Sequence, residues 1–203
     1  MTNPVRPAPI DPQRSALLLM DFQVEIVGRL VPDAGELLAR VVRVRDLCRR
    51  SGVAVCYVRV AFTEQARRAV PERNKSFSVL ARTDRLTEGT PPADIVTELQ
   101  PGPDEAVVTK TRVGAFSTTE LADELARRGI DTLLLAGIAT SGVVLSTLRD
   151  AADRDYRLFV LADCCADADP LVHQVLTERV FPRQAEVIDA AALEGLLPAA
   201  DRG

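Results

Sequence analysis

Short apolar runs alternate along the chain with longer amphipathic stretches. Runs at 16–20 (ALLLM), 53–60 (VAVCYVRV), 106–109 (AVVT), 132–136 (TLLLA), 158–162 (LFVLA) and 185–188 have strand length and mostly lack the polar alternation of a half-exposed strand. Between them, 35–50 places Leu37, Leu38, Val41, Val44 and Leu47 on one helical face. The stretch 118–128 opens on Thr118 and carries Leu121 and Leu125 before Gly129, which predicts a capped helix. Helices are also expected over 141–154, over 170–179 and after the last strand. Strands apolar on both faces and alternating with helices predict a parallel sheet covered on both sides, a three-layer α/β/α fold.

The segment 61–105 breaks this rhythm. It is charged, contains Pro71, Pro91, Pro92, Pro101 and Pro103, and predicts at most one short helix over 93–99. A connection this long in a compact domain reads as a lid or substrate loop. Residues 1–14 form a proline-rich arm, and 203 residues suit one domain over 1–203.

Composition narrows the function classes. A net charge of −4 and 4% aromatic residues without tryptophan remove the usual basis for binding nucleic acid. The longest apolar runs, such as 133–139, fall far short of the roughly 20 residues that span a bilayer, so no membrane partner is expected. The N-terminus shows no apolar core of a secretory signal. Cys48, Cys56, Cys164 and Cys165 form no CxxC pair, which fits a reduced, cytoplasmic protein. The single histidine, His173, cannot build a typical zinc site, so no metal and no other cofactor is expected. Only Lys75 and Lys110 of the 25 basic residues are lysine, which singles out a lysine in an unusual place.

Ligands of open parallel sheets bind beyond the carboxyl ends of the strands. There Asp21 ends the first strand, Lys110 ends the third, and the loop 137–143 (GIATSGV) ends the fourth and opens a helix. Each has a plain structural explanation alone: a turn residue, a solvated lysine, a tight connection. Together they bring an acid, a base and a small-residue turn to one edge, a candidate site for a small-molecule substrate.

These features, with LLLMDFQ at 17–23, KTRVGAFSTTEL at 110–121, LLLAGIATSGVVLSTLRDAADRDY at 133–156 and the LADCCADADPLVHQVL and VFPRQAEV stretches, resemble the isochorismatase-like hydrolase family, also called cysteine hydrolases. The resemblance runs over roughly 15–188. It implies a Rossmann-like, six-stranded parallel sheet between helix layers and a homo-oligomer assembled through flanking helices. It also implies an Asp–Lys–Cys triad that maps onto Asp21 and Lys110, a non-proline cis peptide at Ile138–Ala139, and backbone donors at Ala139 and Val143 that stabilise an anion.

The chain departs from the pattern at the nucleophile. Val143 stands where the family carries cysteine, and valine cannot attack a carbonyl, so the thiolate route of the amidases is closed. Ser146 reads as a helix residue, and Cys164 and Cys165, placed after the fifth strand, as structural. Isochorismatases proper hydrolyse a vinyl ether, which needs a proton more than a nucleophile. Asp21 would supply it if burial raises its pKa, while a nearby Lys110 would pull the other way. Two substrate contacts of those enzymes differ here: Ile138, Ala139 and Thr140 replace Tyr-Ala-His, and Val60 replaces a glutamine. The metal-binding histidines of nicotinamidases have no counterpart at Arg59, Val60, Ala61 and Phe62.

Substrate-binding candidates are Gln23, Phe22, Phe62 and Phe116, with core packing an equal reading for each phenylalanine. Arg67, Arg68, Arg73, Lys75 and Arg82 are either solvated or hold one arginine that binds a substrate carboxylate. The resulting expectation is a metal-independent hydrolase of a small metabolite, by Asp21 acid catalysis on a vinyl ether. The alternatives are amide hydrolysis by water or another nucleophile, and a catalytically silent ligand-binding protein.

Overall fold

The computed structural model describes residues 7–198. Its six strands are β1 (Ser15–Met20), β2 (Ala54–Val60), β3 (Ala106–Lys110), β4 (Thr132–Ile138), β5 (Arg157–Ala166) and β6 (Glu186–Ile188). They form one parallel sheet in the order β3-β2-β1-β4-β5-β6. β1 lies between β2 and β4 and is buried along its whole length, which explains its unbroken apolar run.

Successive side chains of β1 point to opposite faces. Leu17 and Leu19 join a core with Val41, Val44 and Cys48 of α2 (Gly35–Ser51) and Leu193 of α8 (Ala190–Glu194). Ala16, Leu18 and Met20 join a second core with Leu121 and Leu125 of α5 (Leu121–Arg127) and Leu148 of α6 (Leu145–Asp153). Each buried leucine contributes about 1.5–3 kcal/mol, so register is firmly set on both faces. α2 stops where Gly52 takes a left-handed φ of 80° and its N–H bonds back to Cys48 and Arg49 carbonyls.

Several expected boundaries move. The fifth strand continues to Ala166, so Cys164 and Cys165 lie within β5 rather than after it. The helix expected over 118–128 begins only at Leu121, without a side-chain cap. Thr118 instead sits at φ 62° with its hydroxyl accepting from Thr111 N–H, and Thr119 bonds the Ala115 carbonyl. The helix expected over 141–154 opens as a wide π turn, Thr140–Val144, before α6. That expected over 170–179 is α7 (Pro170–Val175) followed by another π turn, Leu176–Val180.

The 61–105 segment is more structured than expected. It carries α3 (Glu64–Arg68) and α4 (Phe77–Ala81), and two 3₁₀ turns, Pro91–Ala93 and Thr97–Leu99, replace the single helix expected over 93–99. Ala61, Phe62, Phe77, Leu86 and Ala93 form a small core that packs on Val60 at the end of β2. Arg67 ties it together: its guanidinium donates to the carbonyls of Leu80, Thr83 and Arg85 and to Thr87 Oγ1, and lies over the Phe62 ring. Before β1, the arm is described from residue 7; its Ile10 N–H bonds Leu196 O at 2.9 Å, and residues 1–6 lie outside the described residues.

Candidate functional site

The chain order reverses direction between β1 and β4, the place where a crevice opens beyond the strand ends. α1 (Val24–Leu30) begins after Phe22 and Gln23, the two residues that follow Asp21. Asp21 leaves β1 at φ 61°, a left-handed conformation that aspartate tolerates better than most residues, with its N–H bonded to Val58 O at 2.8 Å. Lys110 is paired in register with Val60. β2 separates the two strands, a span of roughly 9–10 Å at ordinary strand spacing. The long lysine side chain crosses it: Lys110 Nζ donates to Asp21 Oδ2 at 2.8 Å and to the Arg112 carbonyl at 3.3 Å.

Both side chains are almost wholly buried, 2% and 7% exposed. Asp21 Oδ1 is buried with no hydrogen-bond partner among the described residues. Burial raises the Asp21 pKa, the Lys110 charge and hydrogen bond oppose it, and the net direction is up.

The loop after β4 comes next to Asp21 because Gly137 permits a close approach; a Cβ there would meet Met20 O at 2.9 Å. The Ile138–Ala139 peptide is cis. The Ala139 carbonyl accepts from Gly142 and Val144 N–H groups, and side chains from the β5–α7 region hold the turn. His173 Nδ1 pairs with Thr140 Oγ1 at 2.8 Å, and Asp167 Oδ2 accepts from Ser141 N–H at 2.7 Å. Burial lowers the His173 pKa, against the raising effect of Asp167, which favours a neutral ring.

Asp21, Lys110, Ala139 and Val143 line one cavity of about 360 Å³, within the size range of small-ligand sites. Its remaining walls are mainly apolar, with Ile26 and Leu30 of α1, Phe77 and Leu80 of α4, Leu86 and Val113 prominent. Val143 packs against this space, 2% exposed. The arrangement offers a buried acid, a cation fixed on one of its oxygens, and mainly apolar walls beside both.

The other substrate-binding candidates are not among the cavity-lining residues. Gln23 is wholly buried and structural in its bonds, its Nε2 donating to Val60 and Ala93 carbonyls and its Oε1 accepting from Val60 N–H. Phe22 belongs to the α2-side core, Phe62 packs beside Phe77, and Phe116 stacks on Tyr156 at 6.0 Å. Ser146 lies in α6 and does not line the cavity. Nor do the cysteines. All four are buried, with burial pushing the thiols of Cys48, Cys56 and Cys165 to about 12 and that of Cys164 upward as well.

Of the lid cations, Arg68 pairs with Glu64 and Arg82 with Glu72, while Arg67 serves the lid's own structure. The lid cation that does line the cavity is Arg85, which nothing in the sequence separates from the rest of the charged segment. Phe77, Val79 and Leu80 also line it; their signal was an apolar cluster, FSVL at 77–80, inside that segment. Among the described residues no three His, Cys, Asp or Glu side chains gather into a metal-binding group, and no helix is long and apolar enough to cross a membrane.

Residues 15–192 match the isochorismatase domain family. A ureidoacrylate amidohydrolase of Methylobacterium radiotolerans is 31% identical over 96% of this chain and 84% of its own. A phenazine biosynthesis protein of Pseudomonas aeruginosa is also 31% identical, over 88% of this chain and 84% of its own. The crystal structure of an N-carbamoylsarcosine amidase from Thermoplasma acidophilum superposes with a TM-score of 0.72 at 28% identity, covering 87% of this chain and 96% of that one. The family match over most of the chain, on a six-stranded parallel sheet with Asp21 and Lys110 paired beyond its strand ends, establishes that this protein belongs to the isochorismatase-like hydrolase family.

Proposed function

We propose that the protein hydrolyses a vinyl ether in a small metabolite, without a metal, using Asp21 as the general acid that protonates carbon. The observation that carries this reading is the unpartnered, buried Asp21 Oδ1 in a cavity that Val143 also lines, the position where the family resemblance leads one to expect a cysteine. Lys110 occupies Oδ2, so a proton on Asp21 belongs on Oδ1. Burial supports the protonated form, and Lys110 stabilises the carboxylate left behind.

Oδ1 gives its proton to the terminal carbon of the enol ether, and the π electrons form the new C–H bond. The ether oxygen shares the positive charge of the resulting oxocarbenium ion. Water adds to the oxygen-bearing carbon of this ion, giving a hemiketal, and returns a proton to Asp21. The hemiketal then expels the alcohol and leaves a carbonyl, so one water is consumed and Asp21 is regenerated. Backbone N–H groups of Ala139 and Val143, at the turn that opens α6, would hydrogen-bond the leaving oxygen as negative charge develops on it during collapse of the hemiketal.

Turnover of a vinyl ether panel in D₂O tests this. One deuterium on the carbon next to the new carbonyl, read at early times by NMR, is the expected result. Turnover of vinyl ethers without carbon-bound deuterium would rule out protonation at carbon, and turnover of amides alone would replace this mechanism by water attack at an acyl carbon. We further take the working form to be a homo-oligomer. Exposed Leu171 and Val175, one turn apart on α7, support assembly through a flanking helix, and light scattering tests it.

A further inference from the structure

We propose that Arg85 is the anion-recognition residue of the cavity, and that the substrate is a small, largely apolar molecule bearing one carboxylate. This rests on the proposed function only in placing the reacting atoms at Asp21. The binding claim stands on the cavity itself.

Two cations line the cavity, Lys110 and Arg85. Lys110 is engaged by Asp21 and the Arg112 carbonyl. Arg85 is only partly engaged: its Nε donates to Glu25 of α1, while neither Nη makes a hydrogen bond among the described residues. A guanidinium held at Nε presents its two Nη groups as a planar fork, the geometry that suits a carboxylate. Its side chain is 39% exposed, so an arriving anion finds it without a buried charge having to be uncovered first.

Arg85 is also held from behind. Its carbonyl accepts from Arg67 Nη2 at 2.6 Å, and its N–H bonds Thr83 Oγ1 at 3.3 Å. Backbone and side chain are thus both fixed before any ligand arrives, which lowers the ordering cost of binding. Between Arg85 and the Asp21–Lys110 pair the walls are chiefly apolar, from Phe77, Leu80, Leu86 and Val113. Asp21 is the only carboxyl group lining the cavity among the described residues. A ligand with an anionic end at Arg85 and an apolar body toward Asp21 satisfies every wall. A dianion would bring its second charge against Asp21 or the apolar walls.

Benzoate and benzamide are close in shape and differ in charge, so calorimetric titration of each isolates the anion contribution without turnover. Benzoate is expected to bind the unmodified protein at least about tenfold more tightly than benzamide. Arg85→Gln should weaken benzoate by about ten- to a hundredfold and leave benzamide unchanged, as for loss of a charge-assisted pair. Glu25→Gln removes the same ion pair but keeps the cation, so it should preserve or strengthen the benzoate preference. Equal binding of the two ligands, no binding of either, or a preference that survives Arg85→Gln would overturn the proposal. If Arg85→Gln fails to fold, loss of the preference in Glu25→Gln overturns it instead, because a purely structural ion pair predicts that loss. Neither ligand is a vinyl ether, so failure of the proposed hydrolysis would leave this result readable on its own.

Discussion

Lys110 reaches Asp21 across an intervening strand, and the 2.8 Å contact ties β3 to β1 over the end of β2. A buried pair of this kind is costly to break one side at a time, because the survivor is left a buried polar group without its partner. Lys110→Met should therefore destabilise the fold by about 3–5 kcal/mol. The double variant Asp21→Asn with Lys110→Met should lose clearly less than the sum of the two single variants. Urea unfolding of the four proteins checks this. Additive losses would mean that the pair is not coupled in the folded state.

The raised pKa of Asp21 sets a sign for the pH dependence. Its folded value lies above the ordinary 3.8, so the folded state binds the proton more tightly than the unfolded chain. The stability this contributes is fully present below the unfolded value and is lost as pH rises through the folded one. General acid catalysis by Asp21 follows the same direction: kcat/KM should fall as pH rises through the Asp21 pKa, with that inflection above 3.8. Asp21→Asn should lower turnover by about 10²–10⁴-fold and remove the inflection. A rise in kcat/KM over this range would identify Asp21 as a base instead.

The sheet was legible because parallel strands buried on both faces must be apolar throughout, as β1 and β4 are. Asp21 and Lys110 were legible for the opposite reason, as charges at the ends of such runs. Less was legible where distant contacts decide local structure. α3 and α4 are five residues each, too short for periodicity to register, and depend on Arg67 and the Phe62–Phe77 contact. The late start of α5 follows from Thr118 and Thr119 bonding the preceding turn, which the amphipathic pattern cannot reveal. Arg85 shares its composition and surroundings with neighbours that face solvent, so only the folded lid distinguishes it.

Arg67 organises that lid, so its loss should loosen 80–87 without touching the Asp21–Lys110 pair. It donates to three carbonyls and one hydroxyl within that stretch. Arg67→Ala should cost about 2 kcal/mol, and amide exchange in 80–87 should accelerate well beyond that of the central strands. In catalysis KM should rise more than kcat falls, because the lid supplies cavity wall and Arg85 rather than the acid. An unchanged exchange pattern would assign the lid's order to its small apolar core alone.

The position of Val143 yields the sharpest test of chemistry without a thiol. All four cysteines are buried with raised pKa values, so little thiolate exists at neutral pH and none of it lines the cavity. Iodoacetamide should leave the folded protein active and nearly unmodified, while the unfolded chain should take up four equivalents. Val143→Cys is close to volume-conserving and should cost less than about 1.5 kcal/mol. It would place a thiol in the cavity beside Asp21 and Lys110. The Lys110 ammonium favours the thiolate, so the new cysteine should alkylate far faster than the native four and bring slow amide hydrolysis through an acyl-enzyme. Mass spectrometry of the trapped adduct and release of ammonia from simple amides measure both effects. Substrate-protected inactivation of the unmodified protein at Cys164 or Cys165 would show that a native thiol takes part in turnover, and would overturn the assignment of Asp21 as the sole reacting group.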